Sequence, residues 1–118
     1  MGNDRFIITI FEEVGGNSAI SVDDGTRIYR KIDAAISNGL TITLDFQNID
    51  LIITAFLNAA IGQLYSKYSS EDLNSRIELK NIKPEDVRLF KKVIERAKEF
   101  FNHHTDFEDT TNGIIYGS

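Results

Sequence analysis

The stretch TITLDFQNIDLIITAFLNAAIGQLY, residues 41–65, decides the fold of this chain. It begins with β-branched and apolar residues, as a buried strand requires, and the polar run from Asp45 to Asp50 then breaks the strand. Apolar residues follow at spacings of three and four, which is typical of one face of a helix. These residues are Leu57, Ala60, Ile61, Leu64 and Tyr68. We therefore predict a strand over residues 40–46 and a helix over residues 55–68.

Thr54 lies where the N-cap of this helix is expected. A hydroxyl at an N-cap accepts a hydrogen bond from an unpaired backbone N–H group of the first turn. A strand that leads a hydroxyl to a helix N-terminus also favours an anion there, such as a phosphate or a phosphorylated side chain. Thr54 therefore has two interpretations, a cap that only stabilises the helix and a residue with a function.

A strand and a helix are also predicted before this stretch. Residues 6–11 form a short β-rich run, which ends at a loop marked by the glycine pair at residues 15–16. Ser21 begins a capping-box pattern for a helix over residues 22–38, with a carboxylate in place of the usual Glu or Gln. The apolar face of this helix consists of Ile28, Ile32, Ala35 and Ile36.

Another strand and helix are predicted after a polar connection at residues 69–75. Residues 76–80 alternate polar and apolar side chains, which indicates a half-exposed or edge strand. Pro84 is suited to the first position of a helix over residues 84–102. An N–H group at that position has no partner within the helix, and proline has none. We expect the buried residues of this helix to be Val87, Phe90, Val93, Ile94, Ala97 and Phe101.

The order of elements is β-α-β-α-β-α, which predicts an α/β fold. Strands that alternate with helices become parallel neighbours joined by right-handed crossovers. We expect a small open sheet flanked by about three helices, mostly on one face. Residues 1–104 are predicted to form a single domain and residues 105–118 an acidic C-terminal tail. The end of the tail, Gly113-Ile114-Ile115-Tyr116, is compatible with an added strand or with a loose terminus.

Composition excludes several classes of protein. With 42% apolar residues, the 118-residue chain can build one core, while its net charge of −5 argues against general binding of nucleic acids, which requires a basic face. The absence of cysteine excludes disulfides, thiolate metal sites and cysteine nucleophiles. No apolar run approaches the length of a membrane span, and the first residues lack the layout of a signal peptide. We therefore expect a soluble cytoplasmic protein, and a bacterial cytoplasm fits this expectation.

The motifs of cofactor, metal and catalytic sites are missing from the sequence. The glycine pair at residues 15–16 lacks the other glycines of a dinucleotide fingerprint, and no phosphate-binding P-loop is present. His103 and His104 are adjacent, and neighbouring helix positions point about 100° apart, so the pair is poorly placed to hold one metal ion. The short carboxylates lie next to turns and caps, where they usually bond to backbone N–H groups. We expect no cofactor, no metal and no enzymatic activity.

Residues 44–62 resemble the STAS domain, the fold of the bacterial anti-sigma factor antagonists. In that family a strand ending in Leu-Asp-hydrophobic leads, through a turn, to a helix opened by Asp-Ser-Ser-Gly or Asp-Thr-Ser-Gly. Leu44-Asp45-Phe46 matches the strand end, and Ile53-Thr54-Ala55-Phe56 falls on the four helix-opening positions. With Phe56 at the Gly position, the chain is similar to the divergent STAS-like family of unknown function found in bacteria and phages.

The departures from the motif concern the phosphorylation switch of those antagonists. Their usual phosphoacceptor is the second hydroxyl of the motif, and Ala55 occupies that position here. Thr54 is the only hydroxyl left in the motif, one residue early. The resemblance therefore implies a switch through Thr54 as the candidate phosphoacceptor, or the loss of the switch.

The resemblance also implies a surface for a partner protein at the N-terminus of the helix after the motif. Thr54 lies at its start, and Phe56 and Leu57 would give the surface an apolar centre. Its polar rim would be Asn17, Asp50 and Asn58. This role requires Phe56 to be at least partly exposed. The alternative is that Phe56, like most Phe residues beside a Leu, belongs to the core. Such an apolar centre with a polar rim suits a protein interface.

Two functions follow from these observations. The first is a non-enzymatic STAS-like regulatory module whose partner is a kinase-like ATPase or an anti-sigma factor, with homodimerisation also compatible. The alternative is a small-ligand sensor, in which the helix mouth at Thr54 and the loop at residues 15–16 bind a nucleotide or another anion. The absence of Lys or Arg near Thr54 in the sequence weakens the alternative, because an acidic chain without a local cation binds anions poorly.

Overall fold

Parallel strands and helices make up the described part of the chain. The computed structural model describes residues 4–113, with side chains for residues 4–101. Within these residues the strands are β1 (Arg5–Thr9), β2 (Ser18–Ala19), β3 (Thr41–Asp45), β4 (Leu51–Ile52) and β5 (Ile77–Lys80). The helices are α1 (Ile10–Val14), α2 (Val22–Ser37), α3 (Thr54–Ala60), α4 (Ser70–Arg76) and α5 (Pro84–Gly113), with a 3-10 helix at Gly62–Ser66.

A three-stranded parallel sheet with the order β1-β3-β5 forms the centre of the fold. The α/β prediction is therefore confirmed, and so is the edge position of the strand predicted over residues 76–80. A second, two-stranded parallel ladder pairs β2 with β4, with Ser18 opposite Leu51 and Ala19 opposite Ile52. Neither of these short strands was predicted from the sequence.

The two faces of the three-stranded sheet differ in character. Side chains alternate between the faces along each strand, so Ile42 and Leu44 point to one face and Thr43 to the other. Ile42 and Leu44 are fully buried in the core beneath the helices. On the opposite face, the Arg5 guanidinium donates hydrogen bonds to Thr43 Oγ1 at 2.7 Å and to Glu78 Oε1 at 3.1 Å. The core therefore lies on the face that the helices cover.

The closest approach between helices is that of α2 and α3 at Gly25. A Cβ atom at Gly25 would lie 2.7 Å from the carbonyl oxygen of Phe56 and 2.9 Å from the Cβ of Ala59. Ser21 caps α2 as predicted, since its hydroxyl accepts a hydrogen bond from the Asp24 N–H group. Because glycine has no side chain, the first turn of α2 lies directly on the backbone of α3 at Gly25.

The first strand ends earlier than the sequence indicated. β1 stops at Thr9, and α1 occupies the positions predicted as the end of a strand and a loop. A glycine C-cap stabilises the end of α1: Gly15 has a φ of 78°, and the N–H groups of Gly15 and Gly16 both donate to the carbonyl oxygen of Phe11. The prediction of a strand over residues 6–11 is therefore wrong at its C-terminal end.

The helix predicted over residues 55–68 is interrupted. It consists of α3, which ends at Ala60, and the 3-10 helix that begins at Gly62. Glycine inside an α-helix costs about 1 kcal/mol relative to alanine, and Gly62 lies at this break. α4 occupies most of the polar connection predicted at residues 69–75 and continues to Arg76, so β5 begins one residue later than predicted. The Ser69 hydroxyl caps α4 by accepting a hydrogen bond from the Asp72 N–H group at 3.0 Å.

The last helix is longer than predicted, because it continues to Gly113 rather than ending near residue 102. Phe90, Val93 and Ala97 are buried as expected, and the Phe90 ring packs edge-on against Phe46 with centroids 5.0 Å apart. Val87 is 43% exposed, contrary to prediction, since it lies in the first turn before the helix reaches the core.

The tail predicted over residues 105–118 is helical through residue 113. The strand suggested at residues 113–116 lies largely outside the described residues, and the domain boundary at residue 104 stays a prediction. Among the helices of the described part, no helix combines the length and the apolar character needed to cross a membrane.

The packing at Gly25 leads to a prediction about stability. We expect Gly25→Ala to lower the free energy of unfolding, because the new methyl group meets helix backbone that cannot swing aside, at a steric cost of about 1–3 kcal/mol or more. This loss should outweigh the roughly 1 kcal/mol that alanine gains over glycine in a helix. Urea denaturation of the purified protein measures the difference.

Gly62→Ala is the matched control for this prediction, because Gly62 is also buried but has room for a methyl group. A Cβ at Gly62 would meet Asn58 Oδ1 at 3.5 Å and the Cβ of Ala97 at 3.8 Å, both ordinary contacts. Equal stability of the two variants would contradict the proposed close packing.

Candidate functional site

The start of α3 lies one residue earlier than the sequence indicated. Ile53 is the N-cap, and Thr54 is the first helical residue. The physical reason is that Ile53 continues the two-stranded ladder in an extended conformation, with its N–H group donating to the carbonyl oxygen of Ala19 at 3.2 Å. The prediction that Thr54 caps the helix is therefore wrong. Thr54 is exposed, and its hydroxyl has no hydrogen bond to another residue in the described part of the chain.

Phe56 and Leu57 are both completely buried, with 0% of their surface exposed. They cannot form the apolar centre of a contact surface in this conformation, so the prediction that Phe56 is partly exposed is wrong. Phe56 precedes Ala60 by four residues and shares its inward face, because the packing at Gly25 turns this side of α3 to the core. Thr54 and Asn58, also four residues apart, are both exposed.

An apolar surface does lie beside the start of α3, but different residues form it. Partners in a parallel ladder point to the same face, and faces alternate along each strand. Ala19 and Ile52 are buried, so Leu51 and Ile53, the neighbours of Ile52, point outward, as does Ile20, the residue after Ala19. With Val22, the first residue of α2, they expose large apolar side chains. We call Ile20, Val22, Leu51 and Ile53 the apolar patch; their exposed fractions are 48%, 51%, 51% and 37%.

Polar residues from three connections meet next to Leu51. Asn17 Nδ2 donates to Asp50 Oδ2 at 3.1 Å, and the Asp50 N–H group donates to the carbonyl oxygen of Asn17 at 2.8 Å. Lys83 Nζ donates to Asp50 Oδ1 at 2.6 Å. The hydrogen bond and charge of Lys83 lower the pKa of the Asp50 carboxyl below its ordinary value. The structure thus brings together two predicted rim residues, Asn17 and Asp50, and adds Lys83, which the sequence analysis missed.

Asp45 holds the turn that precedes this rim. Its Oδ1 accepts hydrogen bonds from the Gln47 N–H group at 2.9 Å and from Asn81 Nδ2 at 2.8 Å. Asn48 and Asn81 adopt left-handed φ angles of 67° and 62°, which asparagine tolerates in turns. Asp45 therefore joins the turns after β3 and after β5, in agreement with the structural duty predicted for it.

The features proposed for anion binding are largely used by the fold itself. The N–H groups of Gly15 and Gly16 are bound to the Phe11 carbonyl and cannot also hold a phosphate. α3 has only 7 residues, so few peptide dipoles align at its N-terminus. No cluster of three metal-binding side chains occurs among residues 4–101, and His103 and His104 lie outside the residues with described side chains.

The signal for the apolar patch was present in the sequence but short. The triplets Ser18-Ala19-Ile20 and Leu51-Ile52-Ile53 each place a buried residue between two outward residues. A run of three residues is too short to establish a period of two, and the pairing of the two triplets is a tertiary contact.

A comparison with protein-family models matches residues 24–87 to a STAS-like domain of unknown function (DUF4325). The matched region extends from α2 to the beginning of α5 and includes the start of α3 with β4. The resemblance predicted from residues 44–62 is therefore confirmed. Comparisons with curated proteins and with solved structures gave no match.

The N-cap assignment predicts how Thr54 contributes to stability. We expect Thr54→Ala to change the free energy of unfolding by less than about 0.5 kcal/mol, because no cap hydrogen bond is lost. Ser21→Ala should cost about 1 kcal/mol, since the Ser21 hydroxyl does accept a hydrogen bond at the N-terminus of α2. Chemical denaturation of the two variants compares them directly, and an equal loss for Thr54→Ala would restore Thr54 as a cap.

The contact between Asp50 and Lys83 predicts a pH effect. Because the folded-state pKa of Asp50 is lowered, its contribution to stability is present above the unfolded pKa and is lost as the pH falls through the folded pKa. Lys83→Met should raise the pKa of Asp50 towards its ordinary value, as measured by NMR titration of the carboxyl carbon. Lys67→Met is the control, because Lys67 pairs with Asp33 and should leave the pKa of Asp50 unchanged.

Proposed function

Because the chain belongs to the family of STAS-like domains of unknown function, we propose that it is a non-enzymatic regulatory module that binds a partner protein. The observation that carries the proposal is the exposure of the apolar patch beside the start of α3. Contiguous exposed apolar surface with polar residues around it is typical of protein interaction sites. The proposed surface keeps the position suggested by the resemblance, but its apolar centre is the apolar patch rather than Phe56 and Leu57.

The rim of this surface supports the same function. Asn17 and Asp50 lie at one border, held together by their hydrogen bonds and by Lys83. Thr54 and Asn58 lie on the exposed side of α3 at the other. These side chains offer donors and acceptors to a partner, while the apolar patch offers area that water solvates poorly. A partner would therefore be oriented by the rim and stabilised by the centre.

Thr54 gives this surface a means of regulation. Its hydroxyl is exposed and makes no cap hydrogen bond, so a kinase could reach it without breaking such a bond. A phosphate at Thr54 would add up to about two negative charges directly beside Ile53. A partner that covers the apolar patch would then have to desolvate this charge, which disfavours the complex.

The resemblance to anti-sigma factor antagonists directs the choice of partner. We propose a kinase-like ATPase or an anti-sigma factor, because a protein of this class would both read the surface and phosphorylate Thr54. Such partners would place the protein in the bacterial cytoplasm, which is part of the proposal.

Capture of the partner tests the proposal. The full chain is used as bait in a lysate of its source cells, and mass spectrometry identifies the bound proteins and reports whether Thr54 carries phosphate. We expect Leu51→Asp to weaken binding by about 2 kcal/mol or more, roughly thirtyfold, because it places a charge in the apolar patch. Phe100→Asp is the control, since Phe100 is 64% exposed on α5 and lies outside the apolar patch.

Equal binding by Leu51→Asp and Phe100→Asp would contradict the use of the apolar patch. A nucleotide screen by thermal unfolding tests the small-ligand alternative separately. A ligand that binds the folded state raises the unfolding temperature, whereas a module that binds only proteins does not respond.

A further inference from the structure

The outer edge of β1 carries backbone groups that point away from the sheet. Among the described residues β1 pairs on one side, with β3. The carbonyl oxygen of Asp4 accepts a hydrogen bond from the Thr41 N–H group at 3.1 Å, which shows which groups face β3. The N–H and C=O groups of one residue point to the same side of a strand, and the side alternates along it. The backbone groups of Arg5 and Ile7 therefore point outward.

The centre of this edge lacks the features by which proteins usually protect an exposed strand, since the one charged residue of β1, Arg5, lies at its first position. Charged residues, Pro, bulges and short length commonly prevent edge strands from pairing with another chain. β1 has 5 residues, and its centre exposes Phe6 by 38% on one face and Ile7 by 59% on the other. The opposite edge of the sheet, β5, exposes Glu78 and Lys80 instead. Of the two edges, β1 is thus the one suited to pairing.

We propose that β1 pairs antiparallel with β1 of a second copy of the chain, around a two-fold axis beside Ile7. In this register Ile7 faces Ile7 of the second copy, and their outward N–H and C=O groups exchange both hydrogen bonds. Phe6 lies opposite Ile8, which is buried in the core of its own chain, and Arg5 lies opposite Thr9, so no like charges oppose each other. The same edge thus complements itself, as a two-fold interface requires.

A groove beside Phe6 provides further surface for this contact. It has a volume of about 250 Å³ and lies between β1 and the C-terminal half of α2. Its lining residues are Phe6, Lys31, Ala34, Ala35, Asn38 and Leu40. Phe6 of the second copy, diagonal to Phe6 on the same face, would approach the groove and remove apolar surface of both copies from water.

The mass of the protein in solution gives the first test. Light scattering coupled to size exclusion should give twice the mass of one chain for the full protein. Ile7→Lys should give the mass of a single chain, because a lysine at the two-fold axis places like charges opposite each other. Leu51→Lys, at a position exposed to a similar extent in the apolar patch, should retain the dimer. Ile7 and Leu51 lie in separate sheets, so the proposed dimer and the proposed binding of a partner protein are tested independently.

Disulfide cross-linking tests the register. The chain contains no cysteine, so a single introduced cysteine reports one position. In Ile7→Cys the two Cα atoms would lie about 5.5 Å apart, within the range of disulfides. In Arg5→Cys they would lie roughly 14 Å apart along the strands, beyond that range. Oxidation should therefore cross-link Ile7→Cys and leave Arg5→Cys uncross-linked.

Each outcome decides the proposal. A single-chain mass for the unmodified protein, a dimer that survives Ile7→Lys, or equal cross-linking of the two cysteine variants would overturn it. If Ile7→Lys does not fold, as judged by circular dichroism, the two cysteine variants provide the decision, because they add no charge at the edge of the sheet.

Discussion

Where α2 crosses α3, the distance between the two helices is set by the absence of a side chain at Gly25. A Cβ there would meet the carbonyl oxygen of Phe56 at 2.7 Å, so the two backbones touch at this point. The contact fixes the rotation of α3 and directs Phe56 and Leu57 into the core. Thr54 and Asn58 are then left on the exposed side. The exposed position of Thr54 and Asn58 in the proposed surface depends on this crossing.

The exposed apolar side chains follow from how the helices are distributed. The helices cover one face of the three-stranded sheet, and the small β2–β4 ladder has its own inner and outer faces. The inner face contributes Ala19 and Ile52 to the core, which leaves Leu51 and Ile53 outside. The core of the protein covers only the inner face of this short ladder. Its outer face is therefore available to a partner, and the proposed pairing through β1 would present two such faces on one dimer.

Polar contacts hold this arrangement at the carboxyl ends of the strands. Asp45 joins the turns after β3 and β5, while Asp50 joins Asn17 to Lys83. These residues come from separate connections, so the rim is a property of the folded chain and not of one segment. The resemblance to STAS domains located this region, and the contacts show that Asp45 and Asp50 hold its turns together.

The sequence by itself determined the α/β class, the parallel direction of its main strands, the N-cap at Ser21 and the helix start at Pro84, because these depend on local periodicity and on the chemistry of single residues. It also identified the STAS-like family from residues 44–62. Tertiary structure alone decided that Phe56 is buried and that Ile53, not Thr54, caps α3. Both depend on contacts between segments far apart in the chain, the crossing at Gly25 and the pairing of β2 with β4, and no local pattern encodes such contacts.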